Sequence, residues 1–392
     1  MDKSLLSVEI QEFIDSNLEA DLARLALQKN KFPNTYWTGI LNQIASKQKT
    51  KTKLPTWFNT PNIYYPSKIS VEQTSSEKTA EYKSDLVSGG SLIDLTGGFG
   101  VDAYYFAKKV NQVTHCEINA DLSEIVAHNL QQLNSGNINC ISGESSETLT
   151  KLNQKFDWIY IDPSRRNEAK GKVFMLKDCL PNVPESLDFY FEYSPKMMIK
   201  TAPILDITAG LSELKNVKAI YIVALDNEVK ELLWILEKNY TKSIEIVTAN
   251  LVKETIEEFR FTLGSTAISN YSLPKKYLYE PNASIMKSGG FNEISAPFAI
   301  GKLQQHSHLY TSDTVIDFPG RVFTIENSFE YNKQNMKSFL ENKKANITTR
   351  NFTETVENIR KKWKIHDGGT TYCFFTTDVN NKKIVLLCNK LK

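Results

Sequence analysis

Cysteine is scarce and scattered in this chain. Cys116, Cys140, Cys179, Cys373 and Cys388 form no CxxC pair and stand near no histidine at metal-ligand spacing, which argues against both a disulfide framework and a zinc site. They read as buried, reduced thiols. His306 and His308 in QQHSHLY lack a third ligand and read as polar surface, so no metal is expected. Long apolar runs are missing as well. No window approaches the roughly 20 apolar residues of a membrane span, and the acid-bearing stretch MDKSLLSVEIQEFIDSNLEADLARLAL has no apolar core of signal-peptide type. These absences predict a cytosolic protein without a membrane partner. Charge of one sign is not in excess either: 47 basic residues stand against 45 acidic ones, a formal charge of +2. Whole-chain electrostatics therefore neither demand nor exclude a polyanionic partner. What remains is an ordinary globular composition, 41% hydrophobic and 23% charged over 392 residues, enough for two or three domains with proper cores.

The texture changes along the chain. Val8, Ile10, Phe13, Ile14, Leu18, Leu22 and Leu25 fall at mostly helical spacing, and Asn34 to Ala45 can form a second helix. The segment KQKTKTKLPTWFNTPNIYYPSK, with a basic run and Pro55, Pro61 and Pro66, predicts an extended connection. Ser75 or Ser76 can then cap a helix continued by Glu77 to Leu86. From residue 91, short β runs alternate with helical segments: SLIDL, QVTHCEI, INCIS, FDWIYID, KMMIKT and KAIYIVAL. That alternation predicts an α/β fold with a doubly wound parallel sheet, whose ligands sit at the carboxyl ends of the strands. SIEIVTA and EFRFTLG close this domain with an antiparallel strand. Beyond about residue 270 the runs suggest one or two small α+β units ending in a hairpin.

IDLTGGFGVDAYYFA supplies strand, glycine turn and helix in the order of a nucleotide-type cofactor loop. Thr96, Gly97, Gly98 and Gly100 form the turn, and Gly98 and Gly100 let the backbone approach a ligand. Glu117 follows Gly100 by 17 residues, at the end of the second strand, where a carboxylate can accept both ribose hydroxyls. GFGVDA also satisfies the dinucleotide pattern GxGxx(G/A), so the glycines alone leave two cofactors open. Asp94 separates them: S-adenosylmethionine (SAM) carries an ammonium and a sulfonium that want an acid there, whereas a pyrophosphate would be repelled. Glu144, in ISGES after the third strand, is placed near the adenine.

The stretch IYIDPSRRN ends the fourth strand, which in a doubly wound sheet lies beside the first. Asp162 is thereby placed next to the cofactor loop. Asp162-Pro163-Ser164-Arg165-Arg166 partly resembles the (D/N)PP(F/Y/W) of class I methyltransferases acting on planar amines. The acid and first proline match; the second proline and stacking aromatic do not. Arginine is planar and can stack on a base or hold phosphate, so Arg165 and Arg166 suit a nucleic-acid substrate, or one of them simply pairs with Glu168 or Asp178. DPxR also resembles the uracil-C5 RNA methyltransferases, but Thr201 in IKTAP stands where their cysteine nucleophile would, and a threonine hydroxyl is too weakly acidic for that addition.

LPTWF, YPSKISVEQTSSEKTAEYK, DLTGGFGVD, IDPSRR, YEPNASIMKSGG, TRNF and GGTTYCFFTT resemble, in order and over nearly the whole chain, bacterial class I SAM-dependent methyltransferases with a THUMP-like C-terminal domain. The resemblance implies a helical segment over 1–85, a Rossmann-like methyltransferase domain over 86–268, a ferredoxin-like module over 269–319 and a THUMP-like domain over 320–392. Because THUMP domains bind RNA, it also implies an RNA substrate, rRNA or tRNA. Resemblance to trimethylguanosine-synthase-like enzymes suggests that SSEKTAEYK closes over the site with Glu77, Tyr82 or Lys83 facing it; a helix merely packed on the sheet is the other reading. From Gly320 to Lys392 there are 14 basic and seven acidic residues, and Arg360, Lys361 and Lys362 in RKKWK could track an RNA backbone, or form a solvated helix face. The expected function is SAM-dependent methylation of a base nitrogen of RNA. A small-molecule acceptor and a non-catalytic RNA-binding protein are the alternatives.

Overall fold

The computed structural model describes residues 1–165 and 175–392, with Arg165 described by its backbone alone. They divide into two compact units: Met1–Lys218 with Leu232–Lys242, and Ala219–Glu231 with Ser243–Lys392.

The first unit opens with helices Val8–Ser16, Leu22–Ala26, Trp37–Lys53, Pro55–Asn59, Lys68–Gln73 and Glu77–Ser84. Ile10, Ile14, Leu25, Ile40 and Ile44 bury their apolar faces together. The Trp37–Lys53 helix corrects the sequence reading, because the basic run continues it instead of forming an extended connection. Acids on neighbouring elements offset the repulsion among its lysines: Lys47 reaches Asp15 at 2.5 Å, Lys51 reaches Glu19 at 2.7 Å and Lys49 reaches Glu72 at 3.4 Å. Pro55 then starts the next helix at a position where its missing N–H costs nothing.

Five parallel strands follow: β1 (Gly89–Asp94), β2 (Val110–Glu117), β3 (Ile138–Ser142), β4 (Trp158–Ile161) and β5 (Lys196–Thr201). Their order is β3-β2-β1-β4-β5, the Rossmann-like arrangement whose switch point lies between β1 and β4. Residues 232–237 pair antiparallel with β5, Leu232 opposite Thr201 and Glu237 opposite Lys196. The sequence reading placed no strand there. Leu232 to Leu236 are all buried, and a short apolar run buried on both faces gives no alternation by which to tell strand from helix.

In the second unit, residues 219–225 pair in parallel with Glu245–Val252, which pairs antiparallel with Thr255–Thr262. Residues 243–268, grouped by sequence with the 86–268 domain, thus lie in this unit. A seven-stranded sheet completes it, and its strand Gly320–Glu330 pairs with both Tyr277–Pro281 and the terminal hairpin strand Lys383–Lys390. Glu280, 2% exposed, takes Arg321 and Arg350, the latter at 2.8 Å. His308 is not polar surface: it stacks on Phe291 with ring centroids 3.6 Å apart, and burial lowers its pKa to about 4. Among the described residues no three metal-ligating side chains group together, and no helix is long and apolar enough to cross a membrane.

Candidate functional site

β1 delivers Asp94 to the carboxyl edge of the sheet, opposite Tyr160 of β4 and His115 of β2. In the loop that follows, Gly98 and Gly100 adopt left-handed φ of 53° and 78°, which glycine enters without steric cost. Gly97 is constrained differently, since a Cβ there would overlap the His115 ring. That ring is fully buried, and burial lowers its pKa to about 4, so a neutral imidazole floors the loop. The Gly98 N–H donates to Glu117 Oε2 and the Asn119 N–H to Glu117 Oε1, each at 2.8 Å. These bonds orient Glu117 and leave each oxygen a second lone pair.

Asp94 is 1% exposed, and burial raises its pKa well above the usual carboxyl value, with Asp102, Asp162 and Glu117 adding to the effect. The Thr96 N–H, donating to Asp94 Oδ1 at 3.0 Å, works in the opposite direction. No cation among the described residues pairs with it. Thr96 also accepts, through Oγ1, the backbone N–H of Asp162 at 2.6 Å. The sequence-predicted Asp94, Thr96 and Asp162 are therefore joined directly across β1 and β4.

Lys200 was not anticipated. Ile161 pairs with Ile199 in the β4–β5 register, so the next residues, Asp162 and Lys200, lie side by side, and the Lys200 ammonium pairs with Asp162 Oδ2. Behind it, Ser75 Oγ lies 3.4 Å from Lys200 Nζ and 3.1 Å from Lys83 Nζ, and donates to Asp102 Oδ2 at 2.9 Å. Lys83 is fully buried, 3.2 Å from Asp102 Oδ1, and Tyr160 donates its hydroxyl to Asp102 Oδ2 at 2.8 Å. Burial alone would raise the Asp102 pKa; Lys83 and Lys200 reverse that and hold it below the usual value.

Glu77 and Glu144, also expected at the site, have partners within the protein. Ser76 caps the Glu77–Ser84 helix, which frees Ser75 to turn inward. Glu77 accepts from Thr56 N–H at 2.6 Å, Thr56 Oγ1 at 2.7 Å and the Tyr105 hydroxyl at 2.8 Å, bonds that clamp three elements together. Glu144 caps the Ser145–Leu152 helix by accepting from Ser146 N–H at 2.7 Å and Glu147 N–H at 3.0 Å; burial opposes its ionisation, but these bonds and the Ser145 hydroxyl hold its pKa below the usual value. Pro163 is buried beside Asp162. The Arg165 side chain and all of Arg166 lie outside the described residues. In the second unit, Arg360 pairs with Asp367 at 2.5 Å and Lys362 with Glu354 at 3.2 Å, while Lys361 is exposed.

Over its whole length the chain matches the crystal structure of a candidate methyltransferase from Porphyromonas gingivalis W83, with 29% identity, 99% coverage of that chain and a TM-score of 0.87. Residues 277–319 match a ferredoxin-like domain and residues 320–390 a domain described as THUMP domain-like. The chain is class I SAM-methyltransferase-like. An rRNA methylase from Streptococcus thermophilus matches 41% of this chain and 94% of its own at 13% identity and a TM-score of 0.30. M. capricolum TrmK, solved with S-adenosyl-homocysteine, matches 41% of this chain and 68% of its own at 15% identity and 0.32. Scores that low carry nothing over to this methyltransferase-like chain. No curated protein matches it.

Proposed function

We propose that the protein is a SAM-dependent methyltransferase that modifies a base nitrogen of RNA, rRNA or tRNA. The observation that carries this reading is the bonding, through Thr96, of Asp162 to a buried Asp94 that meets no cation among the described residues. A carboxylate held out of water without a countercharge is costly, and a cationic ligand relieves that cost. SAM fits this demand, and Glu117, oriented by two backbone N–H groups, fits its ribose hydroxyls. Bound there, SAM supplies a methyl group already activated by its sulfonium, so no protein nucleophile is needed. Asp162, with Oδ2 engaged by Lys200 and its side chain 35% exposed, has the place and chemistry to accept an N–H of the methyl acceptor. Pro163, buried next to it, fixes the backbone φ at the position after Asp162. The RNA assignment draws on the THUMP domain-like match and on the local surplus of basic residues from Gly320 to Lys392.

The test is nucleoside mass spectrometry of rRNA and tRNA from a strain lacking the gene, beside its parent. Loss of one methylated nucleoside is expected. An unchanged inventory, together with turnover of SAM on metabolite extracts, would assign a small-molecule acceptor instead.

A further inference from the structure

We propose that Lys200 is a positioning residue for methyl transfer, which acts by holding Oδ2 of Asp162 so that Oδ1 is presented to the acceptor N–H. The inference rests on the reading of Asp162 as the acceptor-binding acid. The side chain of Lys200 is 12% exposed against 35% for Asp162, so the ammonium lies inside and the carboxylate faces outward. Lys200 therefore works through Asp162 rather than on the acceptor.

Asp162 is fixed at two points. Its backbone N–H is held by Thr96 Oγ1 at 2.6 Å, and its carboxylate by Lys200. Among the described residues nothing engages Oδ1. The lysine is itself braced from behind, because Ser75 lies within 3.4 Å of Lys200 Nζ and ties that region to the Lys83–Asp102 pair. Lys83 of the Glu77–Ser84 helix is thus joined through Ser75 to the lysine that holds the acceptor acid. An orienting acid needs such bracing, since a displacement of about 1 Å at a reacting centre costs on the order of 10²-fold in rate.

The experiment measures transfer of tritiated methyl from SAM to bulk RNA extracted from a strain lacking the gene, with enzyme in excess. Wild type is compared with Lys200→Met, Lys200→Arg, Asp162→Asn and the Lys200→Met/Asp162→Asn double variant. Lys200→Met is expected to lower the rate at saturating enzyme by about 30-fold or more, with SAM affinity and the half-saturating enzyme concentration within about twofold of wild type. Lys200→Arg should recover most of the rate, because a cation again holds Oδ2. The double variant should be no slower than Asp162→Asn alone, the non-additivity expected when one residue acts through another. A near-wild-type rate for Lys200→Met, or losses that multiply in the double variant, would overturn the role of Lys200 while leaving the methyltransferase reading intact. Failure of the wild type to label this RNA would overturn both.

Discussion

Thr96 Oγ1 lies 2.6 Å from the amide nitrogen of Asp162, while the amide of Thr96 lies 3.0 Å from Asp94 Oδ1. One residue therefore spaces the acid ending β1 from the acid following β4. A glycine at this position would supply the N–H to Asp94 but no acceptor for Asp162. Thr96→Val keeps the shape and the backbone bond and removes only the hydroxyl. It is expected to lower methyl transfer about tenfold or more while leaving SAM affinity within about threefold, and to cost ~1 kcal/mol of stability for the unpaired N–H. Thr96→Ser should restore transfer. Equal losses of SAM affinity and rate would show that Thr96 serves the cofactor alone.

The raised pKa of Asp94 gives a signed prediction for cofactor binding. In the free protein burial favours the protonated carboxyl, whereas a cationic ligand favours the ionised one. Binding should then release a proton, and affinity for SAM should rise with pH until Asp94 is ionised in the free protein. Calorimetry at pH 6 and pH 8, in buffers of different ionisation enthalpy, measures both effects. Asp94→Asn should weaken binding by ~1–3 kcal/mol and abolish the Asp94-linked proton release. Affinity and proton release identical in the variant and wild type would remove Asp94 from the site.

How much of this site a sequence can disclose depends on what places each residue. Asp94, Glu117 and Asp162 were legible because each ends a strand, or follows one, in a strand–helix alternation, and the fold sends all strand ends to one edge. Lys200 was invisible: its meeting with Asp162 depends on the β4–β5 register across 38 positions, which no local pattern encodes. Lys83 and Glu77 fall on a short helix of weak amphipathicity, where spacing does not reveal the inward face. The partner that draws Lys83 inward, Asp102, lies 19 residues away beyond the glycine loop. The basic run before Pro55 misled because its neutralising acids, Asp15, Glu19 and Glu72, come from other elements.

His115 makes the stability of the cofactor-loop unit depend on pH. Its folded pKa is about 4 against 6.5 in the unfolded chain, so between those values the unfolded state binds more protons. The contribution of His115 is full above pH 6.5, falls as pH drops below it, and is lost near pH 4, on the order of 3 kcal/mol. The raised Asp94 contributes a slope of opposite sign that begins above the ordinary carboxyl value of 3.8 and so overlaps this window. His115→Phe, which keeps a ring beneath Gly97, should flatten the decline between pH 6.5 and 4 in calorimetric unfolding. An equally steep decline in the variant would assign it to other groups.

On the RNA reading proposed above, RKKWK offers a nucleic acid its cations rather than its aromatic. Trp363 of RKKWK is 7% exposed and donates its indole N–H to the Tyr331 hydroxyl at 3.0 Å, within a core that includes Ile359, Met336 and Phe375. It cannot stack on a base without unpacking that core. Arg360 is held by Asp367 and Lys362 by Glu354, whereas Lys361 and Lys364 are exposed. Lys362 also lines, with Lys333, Lys337 and Tyr331, a cleft of about 540 Å³. A phosphate backbone gains most from cations not already neutralised by a neighbouring acid. Replacing Lys361 and Lys364 by glutamine should therefore reduce the slope of log affinity against log salt by ~1.4 for single-stranded RNA, about 0.7 for each phosphate that these lysines no longer neutralise. Arg360→Gln alone should change it by less. Adding Lys333→Gln and Lys337→Gln should reduce it further if the strand follows the cleft. If filter-binding titrations over a range of salt give the wild-type slope for all of these variants, the charged helix face is only solvated and the RNA-binding surface lies on other residues.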